Sequence, residues 1–179
     1  HPDGKRVATA IGNGPIEIRT VGKTEPSLKL DGLKDSFVIS MAFTPEGDVL
    51  ITERPGRLRI VRQGKLIAEP VAGVPDVLYI GHGATPQDGR EQPGLRDVVL
   101  HPNFASTRLL YLSYVKPGPN GYGNLAVARG RYENDRLTNV QDVFVANAPG
   151  NGTNRSSMWG GRIAFDKAGY LFVTLGDRQ

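Results

Sequence analysis

Proton transfer near neutral pH falls first to histidine, and the chain has three, His1, His82 and His101. They stand far apart with no short ligand spacing between them, which argues against a His-based metal site. Cysteine is absent, so disulfides, thiolate nucleophiles and Cys-based zinc or iron–sulfur centres are removed together. Redox chemistry would need a borrowed cofactor. His101 precedes Pro102 in HPNF and reads as part of a hairpin turn, while His82 lies in a long loop. Gln92, in the same loop, is a side chain able to satisfy backbone groups. Asp177 follows Gly176 at the end of an apolar run, where aspartate commonly makes a turn. Trp159 reads either as packing or as the wall of a stacking cavity. Arg162, ahead of apolar Ile163, reads as an anchor on backbone carbonyls.

The elements that must position these residues are strands. The chain has 179 residues, 39% hydrophobic and 22% charged, which excludes a chain disordered by composition. No apolar run approaches the roughly 18 residues that span a bilayer, so no membrane span is expected. The opening HPDGKRVATA lacks the apolar stretch of a signal peptide, so an exported protein would already have lost its signal. The net charge of +4 admits an acidic partner. The basic residues are nevertheless interleaved with apolar ones, as in RPGRLRIVRQGK (54–65), where Arg57 and Arg59 alternate with Leu58 and Ile60. That pattern is the wet face of a strand, and nucleic acid is not an expected partner.

Helical periodicity is missing, while Gly (23) and Pro (13) are spread throughout and mark short strands and turns. An internal repeat organises them: AFTPEGDVLIT (42–52) and AFDKAGYLFVT (164–174), with a looser copy, VLHPNFASTRLLYLS (99–113), between. The copies lie about sixty residues apart, a generous four-stranded propeller blade. Each copy predicts a hairpin, pairing Ile39–Phe43 with Val49–Thr52, Leu95–Leu100 with Leu109–Ser113, and Arg162–Phe165 with Leu171–Thr174. Outer strands are predicted at Arg57–Arg62, Asn124–Tyr132 and Gln141–Val145. The apolar runs lack clean alternation, as strands covered on both faces do. Two irregular stretches, 72–94 and 146–157, read as solvated connectors. The second carries Asn151 and Asn154 in glycosylation-like tripeptides that are common by chance.

The expected fold is therefore all-β, with about three propeller blades of four-stranded antiparallel sheets over 37–179. Residues 1–36 form an N-terminal segment able to add an outer or closing strand. Propellers close with about four to eight blades, so three leave open edges. A fragment, or a half-propeller pairing with a second half or another copy, is the expectation.

Four segments in order, MAFTPEGDVLITERPGRLRIV (41–61), QPGLRDVVLHPNFASTRLLYLSY (92–114), AVARGRY (126–132) and GGRIAFDKAGYLFVTLGDR (160–178), resemble the soluble glucose/sorbosone dehydrogenases. The likeness is nearest to bacterial aldose sugar dehydrogenases and covers about residue 37 to the end, roughly the first half of such an enzyme. The resemblance implies a six-bladed propeller using pyrroloquinoline quinone (PQQ) and calcium, periplasmic or secreted. It also implies oxidation of an aldose at C1, with a histidine taking the hydroxyl proton, hydride passing to the quinone, and an electron acceptor following. By the same resemblance Gln92, which precedes the GLxxxxxHPxF motif, contacts the quinone. Asp177 of LGD lies beside the catalytic histidine, and Arg162 of GGR and Trp159 fall on the cofactor side. The histidine itself is replaced. Its slot, two residues before the paired glycines, holds Met158, whose thioether cannot act as a general base. No metal ligand is assigned within the chain, since calcium and most quinone contacts are expected from the missing half. A non-catalytic propeller binding a carbohydrate or a protein partner is the alternative reading.

Overall fold

The computed structural model describes residues 6–10, 16–24, 26–30, 33, 37–79, 93–151 and 159–176. Strands β1 (Arg6–Ala10), β2 (Ile16–Thr20) and β3 (Pro26–Leu30) pair antiparallel with one another. A four-stranded antiparallel sheet follows from β4 (Val38–Phe43), β5 (Val49–Glu53), β6 (Arg57–Arg62) and β7 (Lys65–Leu66). The next sheet joins β8 (Leu95–Leu100), β9 (Leu109–Pro117), β10 (Tyr122–Glu133) and β11 (Arg136–Val145), and the short β12 (Gly150–Asn151) pairs with the start of β10. Finally β13 (Gly160–Phe165) and β14 (Leu171–Leu175) form a hairpin. The all-β reading and its four-stranded antiparallel sheets hold. The hairpins fall where the repeat places them, and β11 begins five residues earlier than its apolar end announced because polar Arg136 and Thr138 pair with Glu133 and Arg131 of β10.

The sheets stack face to face, which explains the missing alternation. Every residue of β5 is buried. Leu50 faces a core shared with Leu58, Ile60, Leu95, Leu110, Leu112 and Ala126, between the first and second blades. Val49 and Ile51 point the other way, to Leu33 and Val61. In β9, Tyr111 turns from Leu110 and Leu112 to meet Val127, Ile163 and Phe165, between the second and third blades. A strand buried on both faces selects apolar residues at consecutive positions.

Two readings change. The basic face of β6 is not fully wet: the Arg59 side chain is 13% exposed, and its Nη2 donates to the carbonyls of Ile67 (3.1 Å) and Ala68 (3.2 Å). A long arginine can be covered along its stem while its donors find carbonyls. The described start of the 72–94 connector, residues 72–79, is also packed. Val74 and Val77 lie on the core, and the Leu78 N–H donates to the Val115 carbonyl at 2.7 Å.

The turn between β8 and β9 holds a four-residue helix, α1 (Phe104–Thr107). The His101 Nδ1 accepts the Asn103 N–H at 3.0 Å, and the His101 ring lies edge-on to Phe165 at 5.7 Å. His101 thus shapes its turn.

Arg62 ties the first blade to the β10–β11 turn. Its Nε donates to Asp48 Oδ2 (2.9 Å), and its Nη1 and Nη2 donate to Asp135 Oδ2 (3.1 Å) and Oδ1 (2.7 Å). The Tyr132 hydroxyl also donates to Asp135 at 2.9 Å. The guanidinium holds the Asp135 carboxyl below its ordinary range. A depressed carboxylate stabilises the fold above its unfolded pKa, and that contribution is lost as pH falls through the folded value. Urea midpoints should therefore fall more steeply below about pH 4 in the parent protein than in Arg62→Met. Equal slopes would show that the pair adds nothing.

Candidate functional site

The described ends of several strands meet at one end of the stacked sheets. The Leu95 N–H donates to the Arg54 carbonyl (3.0 Å), and the Val115 N–H donates to the Gly94 carbonyl (2.9 Å). Gly94 has φ +142°, and a Cβ there would lie 2.2 Å from the Arg54 carbonyl oxygen, so only glycine allows this approach. From the next sheet, Gly160 pairs with Leu175, and a Cβ on Gly160 would lie 2.8 Å from the Gly176 nitrogen. Arg96 joins the two groups, its Nε donating to the Gly160 carbonyl at 3.0 Å. The start of β8, the start of β13 and the end of β14 are thereby neighbours.

An open groove runs along the inner strands towards the ends of β4 and β8, lined by Met41, Phe43, Asp97, Val98, Leu100 and Arg162. The Arg162 side chain is 75% exposed, with Nε 3.5 Å from Asp97 Oδ2. The expected anchoring on carbonyls is replaced by this carboxylate, because the exposed face of β13 turns Arg162 towards Asp97. Trp159 is fully buried. Gln92, Met158 and Asp177 lie outside the described residues, as does His82.

Asp97, absent from the candidates drawn from sequence, is the most connected side chain here. It is 3% exposed. Its Oδ1 accepts the Ser40 hydroxyl of β4 and the Val98 N–H (3.0 Å), and its Oδ2 accepts the Ile163 N–H of β13 (2.9 Å). One carboxylate thus binds the inner strands of three sheets. A charged residue inside LRDVVL was the available signal, since a buried carboxylate must find donors. Glu53, at the end of β5, is the second such residue. It is fully buried, with Arg57 Nε donating to Oε2 and Arg59 Nη1 3.6 Å from Oε1.

Among the described residues no cluster of three His, Cys, Asp or Glu side chains could hold a metal ion. Neither the Tyr114 nor the Tyr132 phenol serves as a base near neutral pH: burial, then a hydrogen bond to Asp142 for Tyr114 and to Asp135 for Tyr132, pushes each above its ordinary value. No described helix is long and apolar enough to cross a membrane.

The sequence pattern of the family described as glucose/sorbosone dehydrogenase matches residues 36–179. The chain belongs to that family. The chain is 40% identical over 143 residues to the aldose sugar dehydrogenase YliI of Escherichia coli K12, covering 78% of this chain and 35% of that protein. It is 36% identical over 180 residues to an uncharacterized protein of Synechocystis sp., covering 96% of this chain and 42% of that one. The chain therefore spans less than half the length of these curated relatives. Among solved structures, a glucose dehydrogenase superposes with a TM-score of 0.66 at 39% identity, over 80% of this chain and 39% of that one. The soluble aldose sugar dehydrogenase of E. coli in its apo-form gives 0.64 at 37% identity, over 80% and 38%. The PQQ-bound aldose sugar dehydrogenase of Streptomyces coelicolor, at 21% identity and a TM-score of 0.59 over 80% and 39%, shares the fold.

Proposed function

We propose that this family member serves a PQQ-dependent sugar dehydrogenase that oxidises aldoses at C1, with its general base replaced by Met158. The observation that carries the reading is the meeting of Gly94, Gly160 and Gly176 at one end of the sheets within a family match over 36–179. Gln92 precedes the first glycine by two residues, Met158 the second by two, and Asp177 follows the third. On this reading Gln92 contacts the quinone and Asp177 stands beside the slot of the base. Residues 37–179 supply about three blades, and 1–36 an N-terminal segment able to add an outer or closing strand.

The described residues fit a quinone bearing carboxylates in one respect. Arg162 offers an exposed guanidinium at the groove, already held on one side by Asp97, and arginine suits carboxylate recognition. Trp159 would line a cofactor cavity only where its buried ring is uncovered. When bound, the quinone would supply the hydride acceptor. The chain would supply orientation through Gln92 and Arg162, and its proton-accepting position is emptied of chemistry by Met158. Calcium would be held by residues other than those described. A periplasmic location, an external electron acceptor and pairing with a second half or another copy belong to the same proposal.

Met158 also favours a second reading, a propeller that binds quinone, carbohydrate or a protein partner without turnover. Titrating the protein with PQQ and calcium, then adding aldoses and a dye acceptor, separates the two. Saturable PQQ binding with slow dye reduction is expected. Absence of PQQ binding would sink the cofactor reading, binding with no turnover at all would leave the second, and rapid turnover would refute an impaired base.

A further inference from the structure

The start of β13 departs from regular pairing with β14. The register shifts between Gly160 and Ile163, with φ +62° at Gly160 and +95° at Gly161. Such a bulge turns backbone groups away from the partner strand. Here the neighbouring sheet receives them. Arg96 Nε donates to the Gly160 carbonyl (3.0 Å), the Ser113 hydroxyl donates to the Gly161 carbonyl, and the Ile163 N–H donates to Asp97 Oδ2 (2.9 Å). Two of the three captors are themselves linked, since the Asp97 N–H donates to Ser113 Oγ at 3.0 Å. Asp97 and Ser113 are 3% and 0% exposed, so their bonds are shielded from water. Space tightens the fit: a Cβ on Gly161 would sit 3.2 Å from both Arg96 Cβ and Leu125 Cδ1.

We propose that Arg96, Ser113 and Asp97 are positioning residues that clamp the Gly160–Gly161 bulge. They hold in place the entry of the chain into β13, next to Trp159. Blade packing alone does not require this arrangement. Elsewhere the second and third blades meet through apolar groups such as Tyr111, Val127 and Ile163. The polar clamp is concentrated where β13 enters the sheet. Its functional consequence rests on the reading above, in which this entry point faces the cofactor; the clamp itself does not.

Trp159 is the chain's one tryptophan and is buried beside the bulge, so its fluorescence reports the clamp directly. The test compares Arg96→Met and Ser113→Ala with Arg96→Lys as the conservative rescue. Arg62→Met serves as a control that weakens a different contact between blades. In cofactor-free protein, Arg96→Met and Ser113→Ala should raise acrylamide quenching of Trp159 at least twofold. Arg96→Lys should restore most of the protection, and Arg62→Met should change nothing. Quenching unchanged in both clamp variants, or raised equally by Arg62→Met, overturns the clamp. With PQQ added, the same two variants should bind at least tenfold more weakly than the parent. If the parent binds PQQ and the variants bind equally well, the positioning role fails. If the parent binds none, the functional reading fails and the quenching result alone decides the clamp.

Discussion

Replacing Met158 by histidine raises aldose-dependent dye reduction by about 10²- to 10⁴-fold when PQQ and calcium are supplied, the usual effect of a positioned general base. The argument needs little beyond the side chain. Removing a hydride from C1 leaves the hydroxyl proton to be accepted, and a thioether has no basic lone pair suited to that near neutral pH. The buried phenols of Tyr114 and Tyr132 are held protonated, so they do not substitute. His101 is committed to its turn through Nδ1. A parent protein as fast as the histidine variant would show that proton transfer runs through another group. A variant that binds PQQ but stays inactive would place the missing base elsewhere.

Asp97→Ala should cost about 3–5 kcal/mol of stability, read from denaturant midpoints, as removal of a buried charged partner does. The loss strands the Ser40 hydroxyl and the Ile163 N–H and leaves Arg162 without its carboxylate. Asp97→Asn should lie between, because an amide keeps one acceptor but turns a donor towards groups that also donate. A loss below about 1 kcal/mol for the alanine variant would mean that apolar contacts between blades hold the inner strands without help.

The hairpins could be read from sequence because each is a local event: an apolar run, a Gly or Asn/Asp turn and a second apolar run specify one another within about fifteen residues. The family likewise rests on motifs in linear order, and that Met158 stands two residues before the paired glycines is read from the sequence alone. The beginning of β11 escaped because its polar residues carry no strand signal. Only the ladder with β10, from Glu133↔Arg136 onward, makes them a strand.

Asp97, Ser113 and Arg96 were in view as letters but not as a group. Their partners lie 48 to 66 residues away along the chain. Arg59 likewise looked solvated because alternation reports a face, and only the fold shows what covers it. Local pattern therefore determined the strands, the blade repeat and the family. The tertiary structure decided which polar groups are buried and which carbonyls the Gly160–Gly161 bulge presents. Burial and hydrogen-bond partnership arise only when separate sheets meet, and no spacing within one strand encodes them.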